Sequence, residues 1–558
     1  MQSCRTDIEE TLRSAASDAR SFIPPGAAGR ALAVLGGSVS VTIALLMLFG
    51  VVPPSLTPTF GIFFGCAGAT IGTFAWRRTA GNARPGARPG TSEYFDEHLE
   101  HYERFRHLNR HYYDEIKRLW RFFIAPGDRI LEVGCGTGDL LAALDPDRGV
   151  GIDFSEKTVV RAHSKYPTLR LAVADAHNFA LRGRFDAVVM SDLVGYLTDV
   201  QAAFENVHQC MPPDSRLLLS FYNHLWQPGL HLAETLGLKG RSGIQNWLSL
   251  ADVETLLHLA GFEPVTSGYR FLFPYPIPLL SSFLNRFAAK IPVIRKLCLI
   301  QYIVARPIPT CPPDWKTRYS CSVIIPTRNE VGNVAGIFDR APFMGNATEL
   351  VFVDGNSTDG TIEEIEKRMA AYRGPMTLKL IHQGKGIGKG DAVRKGFDAA
   401  TGDLLMILDS DLTMPPEELP KYYRAAATGQ AELVNGCRLV YPMEEEAMRL
   451  LNYLGNKFFS AAFSWLLGQR IRDTLCGTKV LLRRDYLRIK AGRKYFGDFD
   501  PFGDFDLLFG AAKIARKIVD LPIRYRERIY GETKINRWRH GWLLLRMCAI
   551  AFGRFKLS

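Results

Sequence analysis

No Cys-x-x-Cys pair occurs among the ten cysteines, and their scatter along the chain matches neither a zinc module nor a disulfide framework. Cys135 and Cys321 fall in apolar runs, as reduced intracellular thiols do. The chain also lacks a nucleic-acid-binding motif and any long lysine run. Its net charge of +12 therefore points away from nucleic acid and towards phosphorylated substrates or acidic lipid headgroups. No Gly-x-x-x-x-Gly-Lys-Ser/Thr stretch is present, which excludes a P-loop. A dinucleotide fingerprint fails at position 139, which would have to be glycine and is Asp139. What is present is ordinary globular composition, 47% hydrophobic and 23% charged, over 558 residues. That length exceeds what one hydrophobic core serves, so two or three domains are expected.

The first 30 residues form a polar, alanine-containing segment. Residues 31–52 are almost uncharged and long enough to span a bilayer. Pro53-Pro54 interrupts them, and a shorter apolar stretch, residues 60–76, carries Gly61, Gly65, Gly68 and Gly72. Small residues at that spacing permit close helix contact, so residues 31–76 are expected to form a transmembrane helical hairpin, with a buried soluble hairpin as the alternative. Arg20 and Arg30 flank one end, and Arg77, Arg78, Arg84 and Arg88 the other, which places both ends and the domains that follow on the cytoplasmic side. The segment starts too late and runs too long for a cleaved signal peptide. Residues 77–93, rich in Gly, Pro and Arg, read as a linker.

A domain is expected over residues 94–308. Its opening helix leads into Ile130-Leu131-Glu132-Val133-Gly134-Cys135-Gly136-Thr137-Gly138-Asp139, a strand, a glycine turn and a helix start. Such glycines let the backbone approach a ligand, and the helix N-terminus offers free N–H groups. Further strands end in Asp153, Asp175 and Asp192, and a fifth covers residues 215–221. In that order the motifs resemble class I S-adenosylmethionine-dependent methyltransferases. The resemblance implies that Glu132, Gly134, Gly136, Gly138, Asp153, Asp175 and Ala176 hold S-adenosylmethionine, Asp153 at the ribose and Asp175 at the adenine edge. No methyl-accepting base declares itself: Asp192, Tyr196, Asn223 and His224 are topologically suited, and each has a structural reading beside the functional one. The aromatic, proline-rich stretch 271–303 suits a cover for the site, a membrane-resting surface or a packing subdomain.

A proline-rich joint, residues 309–318, precedes a second domain over residues 319–558. The apolar run Leu404-Leu405-Met406-Ile407-Leu408 ends in Asp409-Ser410-Asp411. It reads as a buried parallel strand, whose carboxyl end is where open α/β sheets bind ligands. Two acids there need a compensating cation, and a hard divalent ion shared with a phosphate supplies one. Upstream stand Pro326-Thr327-Arg328-Asn329-Glu330 after one apolar strand, Asp354 after another, and a glycine-lysine loop containing Lys389. The ordered set resembles inverting family 2 glycosyltransferases of the GT-A fold, nearest the dolichol- and polyprenyl-phosphate mannosyltransferase branch. That resemblance implies that Pro326, Arg328, Glu330 and Asp354 line the nucleotide pocket, that Lys389 meets the donor phosphates, and that Asp409 and Asp411 hold Mg²⁺ or Mn²⁺ and the diphosphate.

Arg472-Asp473-Thr474-Leu475-Cys476-Gly477 matches the family's acceptor-side loop, which makes Asp473 the first candidate for a base that deprotonates an alcohol acceptor. With an anionic phosphate acceptor no base is required, and Asp473 would orient groups instead. Asp506 stands where the family has Glu, with Asp504 nearby, and capping remains an alternative for both. Arg528-Ile529-Tyr530-Gly531-Glu532-Thr533-Lys534 matches the branch's basic signature with Thr for Ser; Arg528 and Lys534 would meet phosphate charge, or belong to a solvated basic face. The Gln of processive synthases is missing from the run before Arg537-Trp538, as are their many membrane spans. Residues 538–555 alternate Arg and His with Trp, Leu, Met and Phe, as an interfacial helix or a terminal helix packed on its own domain would.

The expected fold is therefore α/β, a Rossmann-like methyltransferase domain plus a GT-A-type glycosyltransferase domain, preceded by a transmembrane hairpin. The expected function is inverting transfer of a sugar from a nucleotide-sugar to a polyprenyl-phosphate or other membrane lipid acceptor, with methylation of a glycan or lipid intermediate. The alternative is a glycosyltransferase fused to a non-catalytic S-adenosylmethionine-binding or adaptor domain.

Overall fold

The computed structural model describes residues 91–144, 149–181, 183–235, 245–274, 277, 279–386, 388–440, 450–495, 505–526, 528, 530 and 537–557. The expected hairpin at 31–76, nearly all of the linker at 77–93, Asp504 and Lys534 lie outside these residues. Among the described residues no helix is long and apolar enough to cross a membrane. Residues 95–226 and 244–558 pack as one unit, and residues 1–94 with 227–243 as another. Of the latter, the described parts are the start of the helix Ser92–Leu108 and the helix Gln227–Thr235.

The first sheet has seven strands: β1 Ile130–Val133, β2 Gly149–Asp153, β3 Arg170–Val173, β4 Ala187–Ser191, β5 Arg216–Tyr222, β6 Phe262–Arg270 and β7 Ile300–Pro307. Their order is β3-β2-β1-β4-β5-β7-β6. Strands β1 to β5 are parallel, and β7 runs antiparallel to both β5 and β6. Ile130 to Val133 are all buried, as expected of a central strand covered by helices on both faces. The covering helices Glu156–Lys165 and Val200–Gln209 begin at Ser155 and Asp199, whose side chains accept from the N–H groups of Thr158 and Ala202.

The second sheet also has seven strands: β8 Cys321–Thr327, β9 Thr348–Asp354, β10 Thr377–His382, β11 Leu404–Ile407, β12 Leu433–Cys437, β13 Lys479–Leu482 and β14 Ile518–Pro522. They lie in the order β10-β9-β8-β11-β13-β12-β14. Strands β8 to β11 are parallel, β13 is antiparallel to β11 and β12, and β12 pairs parallel with β14. The C-terminal helix Arg537–Ala551 buries Leu544, Met547 and Ala551 in this domain's core and exposes Trp542 and Leu545. It is packed on its own domain while keeping an apolar rim in solvent.

The two sheets meet at their amino-terminal edges. Arg216 opens β5, and Arg306, near the end of antiparallel β7, lies at the same edge beside Glu263. Facing them are Glu432, just before β12, and Arg516 and Lys517, just before β14. The Glu432 carboxylate accepts from Arg216 Nη2 at 2.6 and 2.7 Å and from Arg516 Nη1 at 3.0 Å, and lies 3.3 Å from Arg306 Nη1. Although burial pushes that carboxyl upward, the three guanidiniums hold it far below the usual carboxylate range. Beside this cluster Phe122, from the helix Arg110–Phe123, joins Phe459, Phe505, Phe509 and Phe555 in one apolar core. Because ligands bind at carboxyl ends of parallel strands, the two ligand-binding edges point away from each other.

Candidate active sites

At the carboxyl end of β1, Gly134, Gly136 and Gly138 have φ of 74°, 51° and 76°. A Cβ at Gly134 would stand 2.8 Å from Leu193 Cδ1, and the left-handed φ there disfavours any side chain. A Cβ at Gly136 would meet only Arg106 Nη1, at 3.7 Å, which leaves that backbone open to a ligand. Asp153, at the end of β2, accepts from the Gly136 N–H at 2.9 Å and the Ser155 N–H at 3.0 Å. Burial raises its carboxyl while these main-chain donors pull it down. Glu132 is buried in β1 with Oε2 lacking a hydrogen-bond partner among the described residues, and burial pushes it up to about 8. Asp175 follows β3 and accepts from the His177 N–H at 2.9 Å and pairs with its Nδ1 at 2.7 Å. Ala176 is buried, and its carbonyl accepts from Asn206 Nδ2 at 3.2 Å.

Sequence reasoning missed Arg106, which lies on the helix Ser92–Leu108 and reaches across the glycine loop. Its guanidinium is 3.4 Å from Thr137 Oγ1, 3.7 Å from Asp139 and 4.5 Å from the centre of the Tyr113 ring. Asp139 settles at about 2, with Arg106 and Lys165 overcoming the upward effect of burial. The only sequence signal was an aromatic helix before a glycine loop. Asp192 adopts φ 56° and accepts from Tyr112 Oη at 2.8 Å and Ser220 Oγ at 3.1 Å. Tyr222 and Phe271 complete an aromatic wall around Tyr112. Asn223 takes the structural role: its Nδ2 joins the carbonyls of Lys296 and Cys298 at 2.7 and 2.8 Å. Tyr196 packs edge-on against Phe95, and His224 opens a single exposed turn.

In the second sheet the strand ends converge. Lys389, the first residue of the helix Lys389–Ala399, places Nζ 2.6 Å from Asp409 Oδ1. Arg528 Nη2 is 2.5 Å from Asp411 Oδ2, and its Nη1 is 3.9 Å from Glu330. Thr413 donates its N–H and hydroxyl to Asp411 Oδ1 at 3.1 and 2.8 Å, while Ser410 Oγ donates to the Pro326 carbonyl at 2.9 Å. A Cβ at Gly477 would come within 2.2 Å of both Asp409 Oδ2 and Lys389 Nζ, so the lack of a side chain there lets this ion pair sit against the loop. Glu330 is buried and accepts from Asn333 Nδ2 at 2.7 Å. Asp354, buried at the end of β9, accepts from the Ser357 N–H at 3.1 Å and hydroxyl at 2.5 Å. Arg328 is exposed beside it, across from Gly355.

Asp473 has two readings, base or orienting group, and the structure bears on them. It is fully buried and takes a bidentate pair from Arg438 at 2.8 and 2.9 Å, with further donors from the Arg438 N–H at 3.0 Å, Asn456 Nδ2 at 3.0 Å and the Leu475 N–H at 3.0 Å. Burial pushes its carboxyl up, and Arg438 and Asn456 outweigh that and hold it far below the usual range. Five donors leave no basic lone pair facing an acceptor, so the geometry argues against a general base and for the orienting role. Arg438, the partner, was not legible in sequence. Asp506 faces Arg493 at 3.1 Å and Arg394 at 4.0 Å, a structural ion pair beside the helix Phe505–Lys513.

Two family models match the chain: "Methyltransferase domain" over residues 102–267 and "Glycosyl transferase family 2" over residues 322–488. The chain is a fusion of a methyltransferase domain and a family 2 glycosyltransferase domain. It is 28% identical over 227 residues to the undecaprenyl-phosphate 4-deoxy-4-formamido-L-arabinose transferase of Edwardsiella ictaluri, covering 40% of this chain and 64% of that protein. It is 37% identical over 121 residues to the dolichol-phosphate mannosyltransferase of Pyrococcus furiosus, covering 21% of this chain and 33% of that protein. The chain thus spans less than two thirds of either relative. A solved S-adenosylmethionine-dependent methyltransferase from Thermotoga maritima is 17% identical, covering 38% of this chain and 97% of that one with a TM-score of 0.31, a superposition too weak to carry an argument.

Proposed function

We propose that the glycosyltransferase domain passes a sugar, with inversion, from a nucleotide-sugar to a polyprenyl-phosphate or similar membrane lipid acceptor. The observation that carries this reading is the double pairing of Asp409 with Lys389 and Asp411 with Arg528 at the end of β11. The two carboxylates fit a hard divalent ion by their chemistry, Mg²⁺ or Mn²⁺. Bound there, the ion would neutralise charge on the departing nucleoside diphosphate. Lys389 and Arg528, released from their carboxylates, then have phosphate oxygens to meet. Pro326, Arg328, Glu330 and Asp354 border the nucleotide side, and Lys534 belongs to the same basic signature. The saturated Asp473 favours an acceptor that arrives already as an anion, which a lipid phosphate does. The relatives' names, with their undecaprenyl- and dolichol-phosphates, support the same class.

The methyltransferase domain, in this proposal, binds S-adenosylmethionine along Gly134–Gly138 with Asp153 and Asp175 beside it, and methylates a glycan or lipid intermediate. The engagement of Asp192 by Tyr112 and Ser220 keeps a second reading in play, a cofactor-binding domain without turnover. We place the protein at the cytoplasmic membrane face through residues 31–76. The test incubates membranes containing the protein with labelled sugar nucleotides and polyprenyl phosphate, with and without S-adenosylmethionine, followed by mass spectrometry of the lipids. A sugar-bearing lipid whose mass rises by one methyl group is expected. Absence of any glycosylated lipid across the nucleotide-sugars defeats the first half, and an unmethylated product with intact cofactor binding selects the adaptor reading.

A further inference from the structure

From Pro264 to Pro313, fifty residues, the chain has no Asp or Glu, while Arg270, Arg286, Lys290, Arg295, Lys296 and Arg306 all fall there. In the middle of this stretch the helix Leu280–Arg286 and the short turns Ala288–Lys290 and Ile294–Leu297 project from between β6 and β7. Leu279, Phe283, Phe287 and Ile291 recur every four residues, and all four are exposed, Leu279 at 87%. Val293 adds a further apolar side chain, 79% exposed. The Phe283 and Phe287 ring centres lie 5.8 Å apart, so these two rings form one apolar surface. A soluble face does not normally gather that much apolar surface on one short segment.

The cations beside the stripe are as unusual as the apolar residues. Lys290 is more than nine-tenths buried, yet its ammonium has no hydrogen bond or ion pair among the described residues. Arg295 Nε is likewise buried without a partner. Burial, then the nearby Arg270, pulls Lys290 down to about 7, with Glu115 giving partial relief. Lys556 also faces Arg270 and Arg295. Glu115 is itself shared, lying 3.6 Å from Arg270 and 2.6 Å from Arg118. Positive charge is therefore concentrated beside an apolar ridge with almost no acid to balance it, and burying unpaired cations is costly unless an anion arrives.

We propose that residues 279–297 dock on an anionic bilayer, with Phe283 and Phe287 entering the acyl region and Arg286, Arg295 and Lys296 meeting headgroup phosphates. Apolar residues in one stripe and basic residues beside it are what an interfacial segment requires. A protein partner fits less well, because the cores of protein interfaces are depleted of lysine. The inference rests on the membrane part of the proposed function and adds to residues 31–76 a second membrane contact, made by the methyltransferase domain's own insertion.

The test places the full chain in vesicles of phosphatidylcholine alone or mixed with phosphatidylglycerol, each doped with a lipid carrying a photoactivatable group in its acyl chain. Mass spectrometry maps the adducts. Peptides within 279–297 are expected to be labelled severalfold more in the anionic vesicles, while the helix Thr361–Ala371 is not labelled. Phe283→Asp with Phe287→Asp abolishes that labelling, and Arg295→Gln with Lys296→Gln removes the preference for phosphatidylglycerol. All four side chains are at least partly exposed, and equal S-adenosylmethionine binding by the variants checks that they fold. Absence of label on 279–297 while sugar transfer to polyprenyl phosphate proceeds overturns the docking and spares the proposed function. Label on 279–297 without transfer does the reverse. Equal labelling in both vesicle types, or cross-links to a protein in place of lipid, also overturns the proposal.

Discussion

Asp153 ends its strand with both carboxylate oxygens taken by main-chain N–H groups, whereas Asp409 and Asp411 end theirs against the side-chain cations Lys389 and Arg528. Main-chain donors cannot swing away, so the methyltransferase acid is fixed before any ligand arrives. A lysine and an arginine on flexible stems can exchange a carboxylate for a phosphate. Asp153 is thus held by backbone, and Asp409 and Asp411 are balanced by side chains that can move. The glycine turn and the acid pair look alike in sequence, as polar strand ends, but they bind by different means.

The largest effect that would test this contrast is Asp411→Ala. It should cut glycosyl transfer by about a thousandfold, since a metal supplies several kcal/mol at such a site, while methyl transfer and unfolding stay near normal. Turnover at the ordinary rate would remove the metal from the site. Next, Glu432→Ala leaves Arg216, Arg306 and Arg516 buried together and should destabilise the docked domains by about 3–5 kcal/mol. Denaturant unfolding followed by a probe in each domain should show both midpoints falling. An unmoved glycosyltransferase midpoint would mean the domains fold independently.

Asp473→Asn separates orientation from proton transfer. It should lower stability by about 1–3 kcal/mol through the weakened Arg438 pair and leave the shape of the pH–rate profile of sugar transfer unchanged. Loss of an ionisation from that profile would restore Asp473 as the base. Gly136→Ala sharpens the backbone half of the contrast: the Cβ meets no protein atom closer than 3.7 Å, so the cost to the fold is the left-handed φ of 51° alone, about 1 kcal/mol, while S-adenosylmethionine binds about tenfold more weakly by calorimetry, about 1.4 kcal/mol. Unchanged affinity would place the cofactor elsewhere.

The last test turns on pH and lies at Glu132, raised from 4.5 to about 8 chiefly by burial. A carboxyl whose folded value is raised costs nothing below its unfolded value and an increasing amount as pH climbs towards the folded one. Glu132→Gln should therefore gain stability relative to the native chain between pH 4.5 and about 8, and level off above. A stability difference that does not vary with pH would show that Glu132 is charged throughout.

Much of both domains was legible because parallel strands leave a plain signature, an apolar run ending in glycine or acid. Ile130–Val133 and Leu404–Ile407 announced themselves that way. Arg106, Arg438 and Glu432 did not, because each acts on a residue at least thirty positions away and sits in a stretch of unremarkable polarity. The surroundings of Asp473 were hidden for the same reason: its loop matched a family pattern, and only packing revealed Arg438 and Asn456 on its carboxylate.

By itself the sequence determined the two domain types, the strand ends that carry their chemistry and the pairing of Asp409 with Asp411, since these depend on residues close together in the chain. Only the tertiary structure decided which carboxylates are already satisfied, that Arg216 and Arg306 of one domain meet Glu432 of the other, and that their ligand-binding edges face apart. Charge compensation and burial are properties of neighbours in space, and neighbours in space are what a linear order of residues does not state.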